Sequence, residues 1–503
     1  MSGVQVTNGG AAAKAGPAPT REFSRELGLL DSTMIVIGSM IGSGIFIVSA
    51  DIARTVGSAG WLLVVWLITG AVTLIAALSY GELACRMPHA GGQYVYLREA
   101  YNPLVGFLYG WTLFLVIQTG TIAAVAVAFA KFVGVLVPWF SDKNVLLSIG
   151  AVRISAAQLL AILSLAVLTG VNLRGVHAGK MVQNIFTITK TAALLGLILL
   201  GIAIGSNHAA VAANSKDAWL ATWTHVADGR IVSAEMLSGG MLLAALGAAM
   251  VGSLFAADSW NNITFTAAEV VRPRRNVPLS LALGTGAVIL LYILANVAYV
   301  LVLPVAGDPA GADVTARGIQ FAVSDRVGTA AASMIFGPPA AVIMAVLIMI
   351  STFGCNNGLI LAGARVYYAM ARDGLFFARA GTLNARAVPG VALVVQGIWA
   401  CLLCLSGTYS DLLDYVIFAV LIFYVLTVVG LFILRKKRPD AERPYKAFGY
   451  PVVPALYVLA ATAIAVDLLF VKPRFTWPGL VIVLVGIPVF FVRERMSRRP
   501  QQG

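Results

Sequence analysis

Apolar runs of 18 residues or more recur along nearly all of the 503-residue chain, and no other feature limits its folding so sharply. A run of that length crosses a hydrocarbon slab of about 30 Å at about 1.5 Å per residue. Backbone N–H and C=O groups find no water there, so each run must satisfy them internally, as a helix. Twelve runs are delimited, near 32–56, 61–85, 103–137, 154–173, 181–205, 238–268, 279–303, 339–370, 389–407, 411–434, 452–471 and 477–492. The expectation is an all-α membrane protein with 12 transmembrane helices. Residues 1–30, without an apolar core, read as a disordered tail rather than a signal peptide, and 493–503 as a second tail.

The net charge of +13 would suit a nucleic-acid binder, but its distribution argues against one. Loops on the side of the two tails hold 23 of the 35 Lys and Arg, and the opposite loops hold eight. Arg54, Lys131, Lys190 and Arg365 fall within spans. This alternation follows the positive-inside rule and puts both termini in the cytoplasm of a multi-pass protein, in a bacterial cell the inner (plasma) membrane. The partners implied are the lipid bilayer and a small substrate, with no nucleic acid.

Two spans are interrupted by polarity or glycine. Span 1 contains Gly38-Ser-Met-Ile-Gly42-Ser43-Gly44, and each glycine weakens a helix by about 1 kcal/mol relative to alanine. Close helix packing through small residues is the other use of such a pattern. Span 6 contains Phe255-Ala-Ala-Asp258-Ser259-Trp260-Asn261-Asn262, with a carboxylate and two amides in mid-span. Five spans separate the interruptions, so the second copy of a five-span unit enters from the opposite face. Residues 31–205 and 236–434 then form an inverted repeat, with helices 11 and 12 (452–492) added. Paired broken helices point to a binding site at the bilayer midplane.

A broken helix offers donors for an anionic group and acceptors for a cationic one. The N–H groups of Ser43 and Gly44 open the outer half-helix and suit a carboxylate. Freed carbonyls near Met40 and Ile41, and near Phe255 and Ala256, suit an ammonium. Glycine, as at Gly42, lets a substrate approach the backbone. Asp258 has three readings: a cap for the inner half of span 6, a substrate contact, or a coupling-proton acceptor. On the residues alone, Phe255 reads as a core aromatic.

Enzymatic alternatives find little support. His89, His177, His208 and His225 fall in expected loops, and no His-Glu-x-x-His or Gly-x-Ser-x-Gly occurs. Cys401-x-x-Cys404 lies in an apolar run without a partner pair, as expected of packed thiols. No cofactor or metal is implied. A channel would need a filter-like repeat, and none is found.

At these residues the chain resembles the amino acid–polyamine–organocation superfamily, and most of all its L-type amino acid transporter branch. The matching motifs include Gly42-Ser43-Gly44-Ile45-Phe46, Tyr80-Gly-Glu82-Leu83, Gly91-Gly92-Gln93-Tyr94, Asn172-x-x-Gly175, Phe186-Thr187-x-x-Lys190, Trp260-Asn261, Asn357-Gly358 and Arg365-x-x-Tyr368. The resemblance implies a LeuT-type 5+5 fold and a substrate site at Met40, Ile41, Gly42, Ser43, Gly44, Phe255, Ala256, Asp258 and Asn261, with Phe255 as the gate. It also implies that Lys190 stands where sodium-coupled relatives hold a sodium ion, near Gly38, Ser351 and Thr352. Sodium-independent transport follows from that reading; a lysine snorkelling to the headgroups is the bland one. Neutral amino acids by exchange are favoured; proton-coupled, cationic or polyamine uptake is the alternative. Eukaryotic members of the branch bond a heavy chain through a cysteine between spans 3 and 4. Residues 138–153 contain none, so no heavy-chain disulfide partner is expected.

Overall fold

The computed structural model describes residues 22–497 apart from 142, 150, 151, 228 and 406–408. Ten helices among the described residues are long and apolar enough to cross a membrane, and shorter apolar helices cover the rest of the expected ranges. Span 1 is divided into α1 (Leu29–Met40) and α2 (Ser49–Val56), with a 3-10 turn at Gly44–Phe46 between them. There follow α3 (Ala59–Arg86), a short connecting helix α4 (Gln93–Ala100), and α5 (Pro103–Thr112), which runs into α6 (Gln118–Leu136) through a π turn at Leu113–Ile117. Next come α7 (Ala156–Leu173), α8 (Val176–Ala203) and a short α9 (His208–Lys216). Span 6 is likewise split, into α10 (Gly239–Ala256) and a single turn, α11 (Asn262–Phe265). Then α12 (Pro273–Val302), the turn α13 (Val314–Arg317), α14 (Val327–Phe336), α15 (Ala340–Arg372), α16 (Gly390–Cys404), α17 (Tyr409–Lys437), α18 (Val452–Val471) and α19 (Pro473–Ser497) complete the chain.

The helix ends carry their own signals. The Asn102 side chain accepts from Val105 N–H ahead of Pro103, so α5 starts on a cap with proline at its first position. Ser155 and Gln158 form a reciprocal capping box at α7. Gly57 ends α2 with φ 73°, a left-handed conformation that glycine adopts without strain.

Inside the bundle, α1 lies against α8, α12 and α15, while α3 runs along α12 and α6 along α15. Three amides tie this centre together. Asn172 Nδ2 donates to Asn357 Oδ1 at 3.0 Å, and Asn357 Nδ2 donates to Gln183 Oε1 at 3.1 Å and to Gly179 O at 2.9 Å. The Asn172 and Asn357 motifs thus pin α7, α8 and α15 together, a structural role for buried polarity.

The chain is mostly helical, as expected, and two bounds are corrected. Outside the helices, two antiparallel hairpins occur, β1 (Val145–Ile149) with β2 (Val152–Ser155), and β3 (Thr222–Ala227) with β4 (Arg230–Met236). Both lie in connections between spans, where water can satisfy the open edges that hydrocarbon forbids. The tail expected to run to residue 30 is ordered before that. Glu26 and Leu27 N–H donate to Glu269 O, Val271 N–H donates to Leu27 O, and α1 starts at Leu29. The helix expected to end at 492 continues to Ser497. Residues 1–21 and 498–503 of the two expected tails lie outside the described residues.

Candidate functional site

The two interruptions touch. The backbone leaves the helix at Ile41 (ψ 95°) and resumes helical turns at Gly44. A Cβ added at Gly44 would lie 2.7 Å from the Ala256 Cβ, and one at Gly38 would run into Gln183 and Thr187 of α8. Real Cβ atoms do not pack that closely, so glycine at 44 is a condition of the contact with Ala256, and glycine at 38 of the approach to α8.

A helix that stops at Met40 strands its last carbonyls, and buried carbonyls need donors. Each of those described here has one. The Lys190 ammonium, on α8 and 2% exposed, donates to Gly38 O and Ile41 O at 2.6 Å each and to Ser351 O at 3.3 Å. An ammonium carries three donors, and all three are used here. Because α8 starts at Val176 rather than near Met181, Lys190 sits fourteen residues, about 21 Å, from its helix start. That is too deep for the snorkelling expected of a headgroup lysine, and Nζ points inward. The Ser351 hydroxyl lies 3.1 Å from Ile41 O and 3.0 Å from Gly42 O, and Cys355 Sγ donates to Ser39 O at 3.0 Å. Thr352 is not brought into this group. Its hydroxyl turns back to Ile348 O and Met349 O of its own helix.

Tyr292 of α12 joins the two breaks. Its hydroxyl lies 3.0 Å from Met40 O and 3.1 Å from Ala256 O, so one proton serves carbonyls of both interrupted spans. Met40, Ile41 and Ala256, expected to offer bare carbonyls, therefore hold protein donors in this conformation. Ser43 is 2% exposed next to Gly44, and Phe255 is buried in the last turn of α10.

Asp258 and Asn261 belong to a second cluster. Ser259 has φ 68°, a left-handed conformation that costs a non-glycine residue about 1–2 kcal/mol and turns the chain sharply between α10 and α11. The Tyr424 hydroxyl donates to Asp258 Oδ1 at 2.6 Å. Asn261, not Asp258, occupies the cap position of α11, which removes the capping reading of the carboxylate. The Asn261 amide donates to Gln93 Oε1 at 2.9 Å, and Gln93 Nε2 donates to Thr427 Oγ1 at 3.0 Å. Trp260 packs edge-on to Tyr80 with ring centroids 4.7 Å apart.

Two voids flank this second break. One, of about 10 Å3, is lined by polar groups of Asp258, Asn262, Tyr109, Gln118 and Thr121, and by Leu113 and Ile117 of the π turn. The other, of about 20 Å3 and more apolar, also reaches Asp258 and is walled by Val72, Leu254 and Tyr457. At the first, the Tyr109 hydroxyl and the Asn262 amide nitrogen are buried without a hydrogen-bond partner among the described residues. Unpaired buried groups of this kind call for a polar guest, and the space holds about one water.

Tyr292, Tyr424 and Gln93 were not foreseen as site residues. The only available signal was a lone hydroxyl in an otherwise apolar run, as in Leu291-Tyr292-Ile293 and Phe423-Tyr424-Val425.

Two carboxylates near the ends of spans are held in buried pairs. Glu269 meets Arg365 at 3.0 Å, both essentially buried. Glu82, also buried, accepts from Arg435 Nε at 2.9 Å and from Ala447 N–H at 2.8 Å.

The sequence model of the amino acid permease family matches residues 27–491. The chain is 31% identical to the large neutral amino acids transporter small subunit 2 of Homo sapiens over 95% of its own length and 82% of that protein. It is 28% identical to the human b(0,+)-type amino acid transporter 1, covering 94% and 88% of the two chains. Against the Asc-type amino acid transporter 1 of Mus musculus the identity is 29%, over 95% and 83%.

Proposed function

Because this chain belongs to the amino acid permease family, we propose that it moves L-amino acids, neutral ones foremost, by sodium-independent exchange through alternating access. It is a multi-pass membrane carrier, not an enzyme. The observation that carries the sodium-independent reading is the Lys190 ammonium on Gly38 O, Ile41 O and Ser351 O. A fixed cation there ties the interrupted first span to α8 and α15, which is the work a bound sodium ion would otherwise do. A charge this deep is expensive in a bilayer and is kept where it has a function. Replacing external sodium with choline is expected to leave uptake into proteoliposomes unchanged; loss of uptake would refute this reading.

The substrate zwitterion is proposed to bind where the two breaks meet, its carboxylate at the Ser43 and Gly44 N–H groups and its ammonium among the carbonyls of residues 40–42 and 255–256. Four of those carbonyls hold Lys190, Ser351 or Tyr292 here. The ammonium must then use remaining lone pairs or displace the Tyr292 hydroxyl. Phe255 is proposed as the lid. The two five-span halves form the inverted repeat in this reading, with helices 11 and 12 outside it and both termini in the cytoplasm of the inner membrane.

One observation favours a second reading, uptake of a cationic or proton-coupled substrate. Asp258 opens on a polar void where Tyr109 and Asn262 carry unpaired polar atoms. Asp258→Asn separates the two. Under the first reading neutral substrates keep their rate at every pH; under the second, cationic substrates or the pH dependence is lost.

The human relative at 31% identity is named a small subunit. For this chain we propose action without a disulfide-linked heavy chain. Cys85, Cys355, Cys401 and Cys404 are its only cysteines and all lie on helices within spans, not between spans 3 and 4.

A further inference from the structure

A cavity of about 200 Å3 opens between the ends of α3, α12 and α17. Its lining holds three arginines, Arg86, Arg274 and Arg438, against one carboxylate, Glu442. Arg86 is the last residue of α3, Arg274 the second of α12, and Arg438 follows the last residue of α17. All three therefore stand where a span leaves the hydrocarbon, at the depth of lipid headgroups. Cys85, Met87 and Leu434 supply an apolar wall beside them.

The charges are unevenly spent. Arg274 meets Glu442 at 3.3 Å, and Arg438 meets Glu99 at 2.7 Å, both in contact with solvent. The nearby Glu82 is taken by Arg435 and by Arg443. Arg86 has no hydrogen bond or ion pair among the described residues, and its Nη1 is buried. A buried guanidinium nitrogen without an acceptor is unfavourable, and guanidinium forks match the oxygens of phosphate, as of carboxylate, in bidentate fashion.

We propose that this cavity binds a phosphate group, with Arg86 as the central donor and Arg274 and Arg438 as flanking charges. The headgroup depth and the apolar wall fit an anionic phospholipid; inorganic phosphate has the same chemistry. Basic pockets between spans bind lipid headgroups in this way.

The test uses the full-length chain purified in detergent, with native mass spectrometry for bound lipid and thermal unfolding for stabilisation. Three additives are compared: phosphatidylglycerol, phosphatidylcholine and inorganic phosphate. Wild type is expected to retain phosphatidylglycerol over phosphatidylcholine, and Arg86→Gln to weaken that retention about fivefold. Stabilisation by inorganic phosphate alone, lost in Arg86→Gln, would place the source in solution and still support the site. Glu442→Gln removes the one opposing charge of the lining and is expected to tighten binding, a gain that misfolding does not produce. The proposal is overturned if neither phosphatidylglycerol nor inorganic phosphate distinguishes wild type from Arg86→Gln, or if Glu442→Gln binds no more tightly than wild type.

Discussion

Replacing Lys190 by methionine removes the ammonium and keeps most of the stem. Two of its three contacts, to Gly38 O and Ile41 O, are 2.6 Å long and charge-assisted. Such bonds contribute about 1.5–3 kcal/mol each, so the pair stands for about 3–6 kcal/mol. Methionine avoids the desolvation of a buried ammonium, which offsets part of that. The carbonyls then decide the outcome. Ile41 O keeps the Ser351 hydroxyl, whereas Gly38 O loses the one donor identified for it, at about 1–3 kcal/mol. A loosening of α1 against α8 by about 2–3 kcal/mol remains, or roughly a 30- to 150-fold fall in the docked population. Counterflow of labelled amino acid into proteoliposomes, at matched amounts of folded protein, is expected to slow by that order. Lys190→Met with more than a third of the wild-type rate would refute the argument that the ammonium holds the first break in place.

Three further outcomes are expected. Tyr292→Phe deletes the hydroxyl shared by Met40 O and Ala256 O; a lost hydrogen bond between buried groups predicts a cost of about 1–3 kcal/mol in thermal unfolding and a matching drop in counterflow. Gly44→Ala places a Cβ 2.7 Å from that of Ala256 and is expected to abolish uptake, while Ala256→Gly in the same chain restores a measurable rate by making room. Arg365→Leu strands the fully buried Glu269 carboxylate and is expected to destabilise the protein by about 3–5 kcal/mol, whereas Arg365→Leu with Glu269→Leu recovers much of that loss in chemical denaturation.

The apolar runs alone determined that this chain crosses a membrane in helices, because hydrocarbon admits no other satisfaction of the backbone within one segment. The same logic located both interruptions, since glycine at 38, 42 and 44 and polarity at 258–262 are local properties of the residues themselves. The depth of Lys190 could also be counted, although α8 starts five residues earlier than its apolar pattern suggests. Which groups meet was another matter. Tyr292 lies 252 residues from the Met40 carbonyl it contacts, and Tyr424 lies 166 from Asp258. Nothing in either local sequence distinguishes these tyrosines from the aromatics that merely pack. Thr352 adjoins Ser351, yet helix rotation turns one hydroxyl to the first span and the other to its own backbone. Asp258 passes from a helix cap to the wall of a polar void for the same reason. A side chain's partner depends on where distant helices place their donors and acceptors, and only the packed bundle decides that.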